Sequence, residues 1–310
     1  MKRCFILRVS VCLLLLSITM GSNANIPVEK KAGNDHCNYI LIFYATKYNS
    51  RIADAVDYFF KEILKEEDHL TIVTPIKPYD FPHTTRQKVP EEKLVEVTKK
   101  VLKRDITVGT SDYHNTLNSM IQIVRAFSPG GSGGAASSAS AATVSRASTS
   151  TMKSNIVQYR QYLENLVKIR KINENLFVKF ADFFKEKKGK NYIFIFYQKE
   201  LRPIPNRQAM EILLANMELK FEATHLFRGE IHEEFMDVEK VTQALKDASI
   251  TVCFNYLNIE GRSMSGVRMI EFSNDIYNSV SRLARETGGI IVSTSNPEAA
   301  IKKFAKAISK

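Results

Sequence analysis

The stretch NYILIFYATKYNS, residues 38–50, decides the fold of this chain. Residues 39–44 form an apolar and aromatic run that is too short for a helix and has polar neighbours, which predicts a strand buried on both faces. A short polar loop follows, and apolar residues at helical spacing begin at Ile52. Strand, loop and helix make the first unit of an open α/β sheet, which binds ligands at the carboxyl ends of its strands. The expected functional edge is therefore residues 46–50, although the quoted stretch holds no acidic side chain.

Further apolar runs repeat this alternation of strands and helices. Strands are predicted at residues 70–75, 191–198, 251–257 and 289–293. Helices are predicted at residues 90–103, 115–127, 151–188, 207–219, 238–248, 271–287 and 297–309, with a loop at 105–114. Strands that are apolar throughout and alternate with helices predict an α/β fold with a Rossmann-like, doubly wound, mainly parallel sheet covered by helices on both faces. Pro75, Pro78 and Pro82 predict a short or irregular edge strand.

Residues 128–150 interrupt the alternation with a run of Gly, Ala and Ser. The run has no aromatic residue, so it cannot bury enough apolar surface to offset the entropy lost on ordering. We expect a flexible insertion at 128–150, between two helices that fold against each other and the sheet.

The first 24 residues have the features of a secretory signal peptide. Lys2 and Arg3 precede an apolar run at residues 9–20, and small residues precede Asn25. The alternative is an N-terminal membrane anchor, but the run is shorter than the ~20 residues that a spanning helix needs. We therefore predict export to the periplasm or the cell exterior, with no stable membrane span after cleavage, and a polar lead-in at residues 25–37.

Charge and cysteine content narrow the functional classes. The formal net charge is +11, and removal of a leader with three basic and no acidic residues leaves +8. The basic residues alternate with acidic ones along the helices, which favours solvated faces over a nucleic-acid site, while an acidic partner remains open. After cleavage only Cys37 and Cys253 remain. A buried free thiol is the favoured interpretation of Cys253, and a disulfide between the two is the alternative.

Three more stretches, together with the first strand and its loop, carry a family resemblance. DHLTIVTP follows the first helix at residues 68–75, VGTSDYHNTL precedes a helix at 108–117, and ETGGIIVSTSNPEAAIKKFAKAI lies at 286–308. With these features the chain resembles the von Willebrand factor type A domain, in the divergent form found in exported bacterial proteins. The resemblance covers residues 39–308 of a domain at 38–310. It implies a Rossmann-like sheet in which the flexible segment and its flanking helices are an insertion.

Type A domains often hold a divalent metal ion at this edge of the sheet. An Asp-x-Ser-x-Ser loop, a Thr from a second loop and an Asp after a later strand supply the ligands. Hard cations need such oxygen ligands, carboxylates among them. Here Tyr44 replaces the first Asp, and no Asp follows the strand at 191–198. The resemblance therefore implies a degenerate metal site without a bound metal or cofactor. The matching positions are Tyr44, Thr46, Lys47, Thr110, Ser111, Lys199 and Glu200.

Signatures of catalysis are weak. His225 and His232 lie among glutamates, but their spacing differs from HExxH, which favours a solvated loop over a zinc site. No G-x-S-x-G elbow accompanies the hydroxyl residues and His114, and neither glycine-rich nucleotide-binding motif occurs.

The sequence favours an exported, non-enzymatic module that binds a protein partner. The alternative is a hydrolase or metal-dependent enzyme on a Rossmann-like sheet, because fold alone does not give function. Lys47, Lys199 and Arg202 make the upper edge positive, which favours an acidic partner. The mixed charge pattern predicts no nucleic-acid partner. The helical surface at residues 151–188 is the competing site. The candidate binding residues of the upper edge are Thr46, Lys47, Ser50, Thr110, Ser111, Asp112, Lys199 and Arg202.

Overall fold

The structure, a computed structural model, describes residues 36–128, 141–229, 236–261 and 264–308, with the backbone alone for 141–148. The predicted signal peptide, most of the lead-in, residues 129–140 of the predicted flexible segment and His232 lie outside the described residues. The predictions made for them stay predictions. No helix in the described part of the chain is long and apolar enough to cross a membrane.

Eight strands and eleven helices form the described part of the fold. The strands are β1 (Cys37–Tyr44), β2 (His69–Val73), β3 (Pro78–Phe81), β4 (Lys190–Gln198), β5 (Leu201–Pro205), β6 (Ile250–Leu257), β7 (Val267–Glu271) and β8 (Ile291–Thr294). The helices are α1 (Ser50–Glu62), α2 (His83–Arg86), α3 (Glu91–Gly109), α4 (Ser111–Ala126), α5 (Ala141–Arg170), α6 (Glu174–Lys185), α7 (Arg207–Ala215), α8 (Lys220–Arg228), α9 (Val238–Asp247), α10 (Asn274–Glu286) and α11 (Pro297–Ile308).

Six of the strands form one sheet in the order β3-β2-β1-β4-β6-β8. Every neighbouring pair is parallel except β2 and β3, which are antiparallel. The chain therefore winds outward in both directions from β1 and β4, which is the strand order of a doubly wound sheet. The predicted α/β, Rossmann-like class is confirmed, and β3 is the short edge strand that the prolines indicated.

Helices cover both faces of this sheet, because successive side chains of each buried strand point to opposite sides. Leu41 and Phe43 of β1 pack with α1, α3 and α11 on one face. Ile40 and Ile42 pack with α6, α9 and α10 on the other. Cys253 lies buried in β6 as a free thiol, and Cys37 is also free.

A separate apolar cluster holds α4, α5, α7, α8 and the antiparallel β5–β7 ribbon. We call these elements the helical lobe. Tyr159 of α5 is buried within it and donates a hydrogen bond from its hydroxyl to the Pro203 carbonyl oxygen of β5 (2.6 Å). The predicted flanking helices thus belong to a lobe with a core of its own.

Several predicted boundaries are wrong. The predicted loop at 105–114 is helical apart from Thr110, which separates α3 from α4. The predicted helix at 151–188 begins ten residues earlier, so residues 141–150 of the predicted flexible insertion are helical instead. The helix breaks at residues 171–173, where Asn173 caps α6 by accepting a hydrogen bond from the Asn175 amide. The solvated loop expected at His225 is part of α8, because Leu226 and Phe227 are buried in the helical lobe.

Candidate functional site

A cleft of about 390 Å³ opens at the carboxyl ends of β1, β2 and β4. It lies where the winding of the sheet changes direction, the usual position of ligand sites in open α/β sheets. Its walls come from the ends of these strands, from the β2–β3 turn and from the α5–α6 junction. The lining includes Tyr44, Thr46, Thr74, Ile76, Lys77, Thr110, Ile169, Arg170, Lys171, Tyr197 and Glu200.

The loop after β1 is fastened by uncharged groups, which we call the neutral lock. The Gln198 side-chain oxygen accepts hydrogen bonds from the Thr46 hydroxyl (3.2 Å) and the Lys47 amide (2.8 Å). The Thr110 hydroxyl lies between two carbonyl oxygens, that of Ile106 (2.6 Å) and that of Thr46 (3.1 Å). The Thr46 carbonyl oxygen also lies 2.6 Å from His114 Nε2, which therefore donates the proton of that hydrogen bond. The hydroxyls and the imidazole thus hold the loop in place, and they are not hydrogen-bonded to one another as a catalytic set would be.

The loop after β4 is fastened by charges, which we call the ionic network. Arg170, the last residue of α5, pairs with Glu200 through Nε and with Asp275 through Nη2 (3.1 Å). The Arg170 side chain is 1% exposed, and its guanidinium also stacks 4.0 Å from the Phe272 ring centroid. Burial raises the pKa of Glu200, and the Arg170 guanidinium opposes that rise. The network ties the helical lobe to the sheet.

Two parallel tyrosine rings lie beside the ionic network. Tyr197 of β4 and Tyr256 of β6 are register partners, with ring centroids 6.4 Å apart. The Tyr256 hydroxyl donates to Glu271 Oε1 (2.7 Å) and lies 2.6 Å from Ser273 Oγ. The Tyr197 hydroxyl is buried and makes no hydrogen bond of normal geometry with any described residue. Burial raises the Tyr197 pKa well above its ordinary value, so this hydroxyl stays protonated.

These side chains do not form a ligand set for a divalent cation. The Thr46 and Thr110 hydroxyls belong to the neutral lock, and Arg170 holds the Glu200 carboxylate. Burial raises the pKa of Tyr44, which keeps its phenol neutral. Nowhere in the described ranges do three His, Cys, Asp or Glu side chains come together as metal ligands would. The position that the resemblance assigns to a metal ion is bounded by groups already bonded to one another.

The structure brings some predicted site residues together and separates others. Thr46 and Thr110 meet in the neutral lock. Lys47 is exposed on the loop after β1, and Ser50, Ser111 and Asp112 are exposed in the first turns of α1 and α4.

The two predicted cations that follow β4 are not free. Lys199 pairs with Glu271 (2.6 Å). Arg202 is 4% exposed and donates to the carbonyl oxygens of Leu226 (3.0 Å) and Gly229 (3.3 Å). The expectation that Arg202 adds positive charge to the surface is wrong, because its guanidinium bonds the last carbonyls of α8.

Sequence reasoning missed Lys77, Arg170 and Lys171, which line the cleft, and Gln198, which fastens the loop after β1 beside it. Gln198 is the polar end of an apolar strand, which is a readable signal for a residue that fastens a neighbouring loop. Arg170, Lys171 and Lys77 gave no such signal, because nothing in their local sequence separates them from the other basic residues of the chain.

A second, larger depression of about 680 Å³ is lined by residues 171–175 and 236–237. It adjoins residues 230–235 in sequence, which the structure does not describe. The cleft at the carboxyl ends of the strands is lined by side chains from four strands, β1 to β4, and three helices, α4, α5 and α6, and is the better-defined candidate.

Comparisons with known proteins give little further guidance. The chain matches no protein-family profile, and no curated protein matches it. One solved structure that is similar is the crystal structure of an aerotolerance-related membrane protein from Bacteroides fragilis NCTC 9343 with multiple mutations to serines. The two chains are 10% identical, and the match covers 89% of this chain and 98% of that one with a TM-score of 0.34. A similarity at this level carries no argument about function.

Proposed function

We propose that this chain is an exported protein-binding module of the von Willebrand factor A type, which meets its partner at the carboxyl edge of the sheet without catalysis or a bound metal. One observation carries the proposal: the buried polar groups that make up the neutral lock and the ionic network at this edge are hydrogen-bonded or ion-paired to one another. A nucleophile needs an adjacent base, and a base needs a free lone pair. His114 Nε2 donates to a carbonyl oxygen, and among the described residues no hydroxyl is hydrogen-bonded to this imidazole as a nucleophile would be.

The surroundings of the edge support a protein partner. Lys47, Lys77 and Lys171 are exposed there, and complementary charge speeds association and selects among partners. The signal-like residues 1–24 support export. The lysines give an acidic partner the advantage over a basic one.

The test is capture of proteins from envelope extract of the source organism by the mature chain. An edge variant, Lys47→Glu with Lys77→Glu and Lys171→Glu, should lose the captured protein. The matched control, Lys187→Glu with Lys188→Glu and Lys190→Glu, reverses as many exposed charges in the segment that ends at the amino end of β4 and should keep it. Both variants should melt like the wild type, because exposed substitutions change stability little.

Two results would contradict the proposal. In the first, the edge variant still captures the partner, but a variant with Val157, exposed on α5, changed to Arg does not. The interface would then lie on the helical lobe. Recovery of a cleaved or otherwise modified partner would favour the enzyme alternative.

A further inference from the structure

Two exposed isoleucines stand at the lips of the cleft. Ile76, in the β2–β3 turn, is 47% exposed, and Ile169, near the end of α5, is 37% exposed. Both line the cleft, together with Pro75 and Leu176. Exposed apolar side chains scattered singly need no explanation, but apolar side chains on both lips of one cleft indicate a surface that another molecule covers.

The free charge of the cleft is positive. Its lining holds one carboxylate, Glu200, which Arg170 neutralises. Lys77 and Lys171 line it as well, one on each lip, and both are exposed. Lys77 also lies 5.0 Å from the Tyr79 ring centroid. A ligand that enters the cleft therefore meets a lysine beside an isoleucine on either side.

Both lips are held in place before any ligand arrives. The Thr74 hydroxyl donates to Asp105 Oδ2 (2.8 Å) and accepts from the Lys77 amide (3.2 Å), which fixes the β2–β3 turn. On the other side, Lys171 directly follows Arg170, which the ionic network anchors. Rigid lips reduce the entropy lost on binding.

We infer that the cleft binds an acidic peptide segment of the partner protein, with its carboxylates at Lys77 and Lys171 and an apolar side chain between Ile76 and Ile169. This inference rests on the proposed function. The volume of about 390 Å³ falls in the range of ligand clefts, roughly 300–1,000 Å³. A small organic anion satisfies the lysines, but it leaves the two isoleucines at the lips in water. A segment with an apolar side chain covers both, which is why a peptide is favoured.

The experiment is panning of a phage library of random heptapeptides on the mature chain, followed by affinity measurement on a synthetic copy of the most enriched peptide. Enriched peptides should carry Asp or Glu next to Leu, Ile or Phe. Fluorescence anisotropy measures the affinity. The double variant Lys77→Glu with Lys171→Glu should bind that peptide about tenfold or more weakly than the wild type. Ile76→Ser with Ile169→Ser should weaken it several-fold. Lys187→Glu with Lys188→Glu, outside the cleft, should leave it unchanged.

Other outcomes overturn the inference. The inference is wrong if the enriched peptides are basic or uncharged, or if no peptide is enriched. It is also wrong if the cleft variants bind the peptide as tightly as the wild type does. Displacement of the peptide by octanoate at similar affinity would identify a small-anion site, and dimerisation of the mature chain that the peptide blocks would identify a second copy as the occupant. Panning needs no natural partner, so these failures leave the capture test of the proposed function standing on its own.

Discussion

The two halves of the carboxyl edge of the sheet each hold a loop in place, but they do so with different chemical groups. Beside β1, the neutral lock fastens a loop with hydroxyl, amide and imidazole groups. Beside β4, the ionic network fastens a loop and the helical lobe with a guanidinium and two carboxylates, of which Glu200 is buried. The side chains of Thr46, Thr110 and Gln198 in the neutral lock are buried as well. An uncharged group that loses its partner costs less than a buried charge left unpaired, so the β4 half is the more fragile one.

Arg170→Met should have the largest effect. It leaves Glu200 buried without its counter-charge, which costs about 3–5 kcal/mol for a buried pair broken on one side. Urea unfolding followed by circular dichroism measures the loss. The control is Arg282→Met, whose pairs with Glu239 and Glu286 are exposed and should matter little. Similar losses for the two variants would show that the ionic network is worth no more than a surface pair.

The stability of the same variant should depend more strongly on pH than that of the wild type. Burial raises the pKa of Glu200, and in Arg170→Met no guanidinium opposes that rise. A carboxyl whose pKa is higher in the folded than in the unfolded state binds more protons when folded, so stability falls as pH rises from the ordinary Glu value of about 4.3 through the folded pKa. The difference from wild type should therefore be smaller near pH 5 than near pH 7 in urea titrations. An equal difference at both pH values would mean that Glu200 does not take up the proton.

Gln198→Leu probes the neutral lock and should cost less. It leaves the Thr46 hydroxyl and the Lys47 amide without their acceptor, for a loss of about 1–3 kcal/mol. Gln243→Leu is the control, since Gln243 is exposed and bonds only the exposed Asp247 among the described residues. A loss for Gln198→Leu as large as that for Arg170→Met would remove the distinction between the two halves.

The paired tyrosines sharpen the comparison within the β4 half. Tyr256→Phe removes a hydroxyl with two partners and should cost about 1–2 kcal/mol, whereas Tyr197→Phe removes an unbonded hydroxyl and should cost about zero. Their equal burial in one stacked pair makes each the control for the other. Equal losses in thermal melts would show that Tyr197 bonds the ionic network in solution.

Added metal ions should have no effect on stability, the smallest effect in this series. Neither half of the edge offers an unengaged set of oxygen ligands among the described residues, and a ligand that binds only the folded state must raise its stability. Millimolar magnesium or calcium should leave the melting temperature unchanged. A rise that EDTA reverses would show that the lock or the network opens to admit a cation.

The sequence predicts the sheet better than the site. Long apolar runs such as residues 191–198 identify buried strands without help from tertiary contacts. β5 was not predicted, because Pro203 and Pro205 are unusual in a strand. Its antiparallel pairing with β7 alone, at the margin of the fold, tolerates both prolines. The break between α5 and α6 escaped because the apolar stripe continues across it.

The ionic network could not be predicted, because its members are far apart in the chain. Arg170 lies 30 residues from Glu200 and 105 from Asp275. Only the folded chain brings the end of α5 against the loops after β4 and β7. The neutral lock was predicted in part: Thr46 and Thr110 were both expected at one edge, whereas Gln198 was missed and His114 was considered only as a catalytic residue.

The two edges of the six-stranded sheet affect the tendency of the chain to self-associate in solution. Its central strand reads NYIFIFYQ at residues 191–198, without charge or proline, which is the composition of segments that stack into cross-β fibrils. β3 and β8, the outermost strands, have four residues each, and β3 begins with a proline. Short edge strands of this kind expose few unpaired backbone groups with which a strand of another molecule can pair. Heating that detaches them should expose the central strands to self-association, so that light scattering rises along with unfolding and cooling does not restore the native chain.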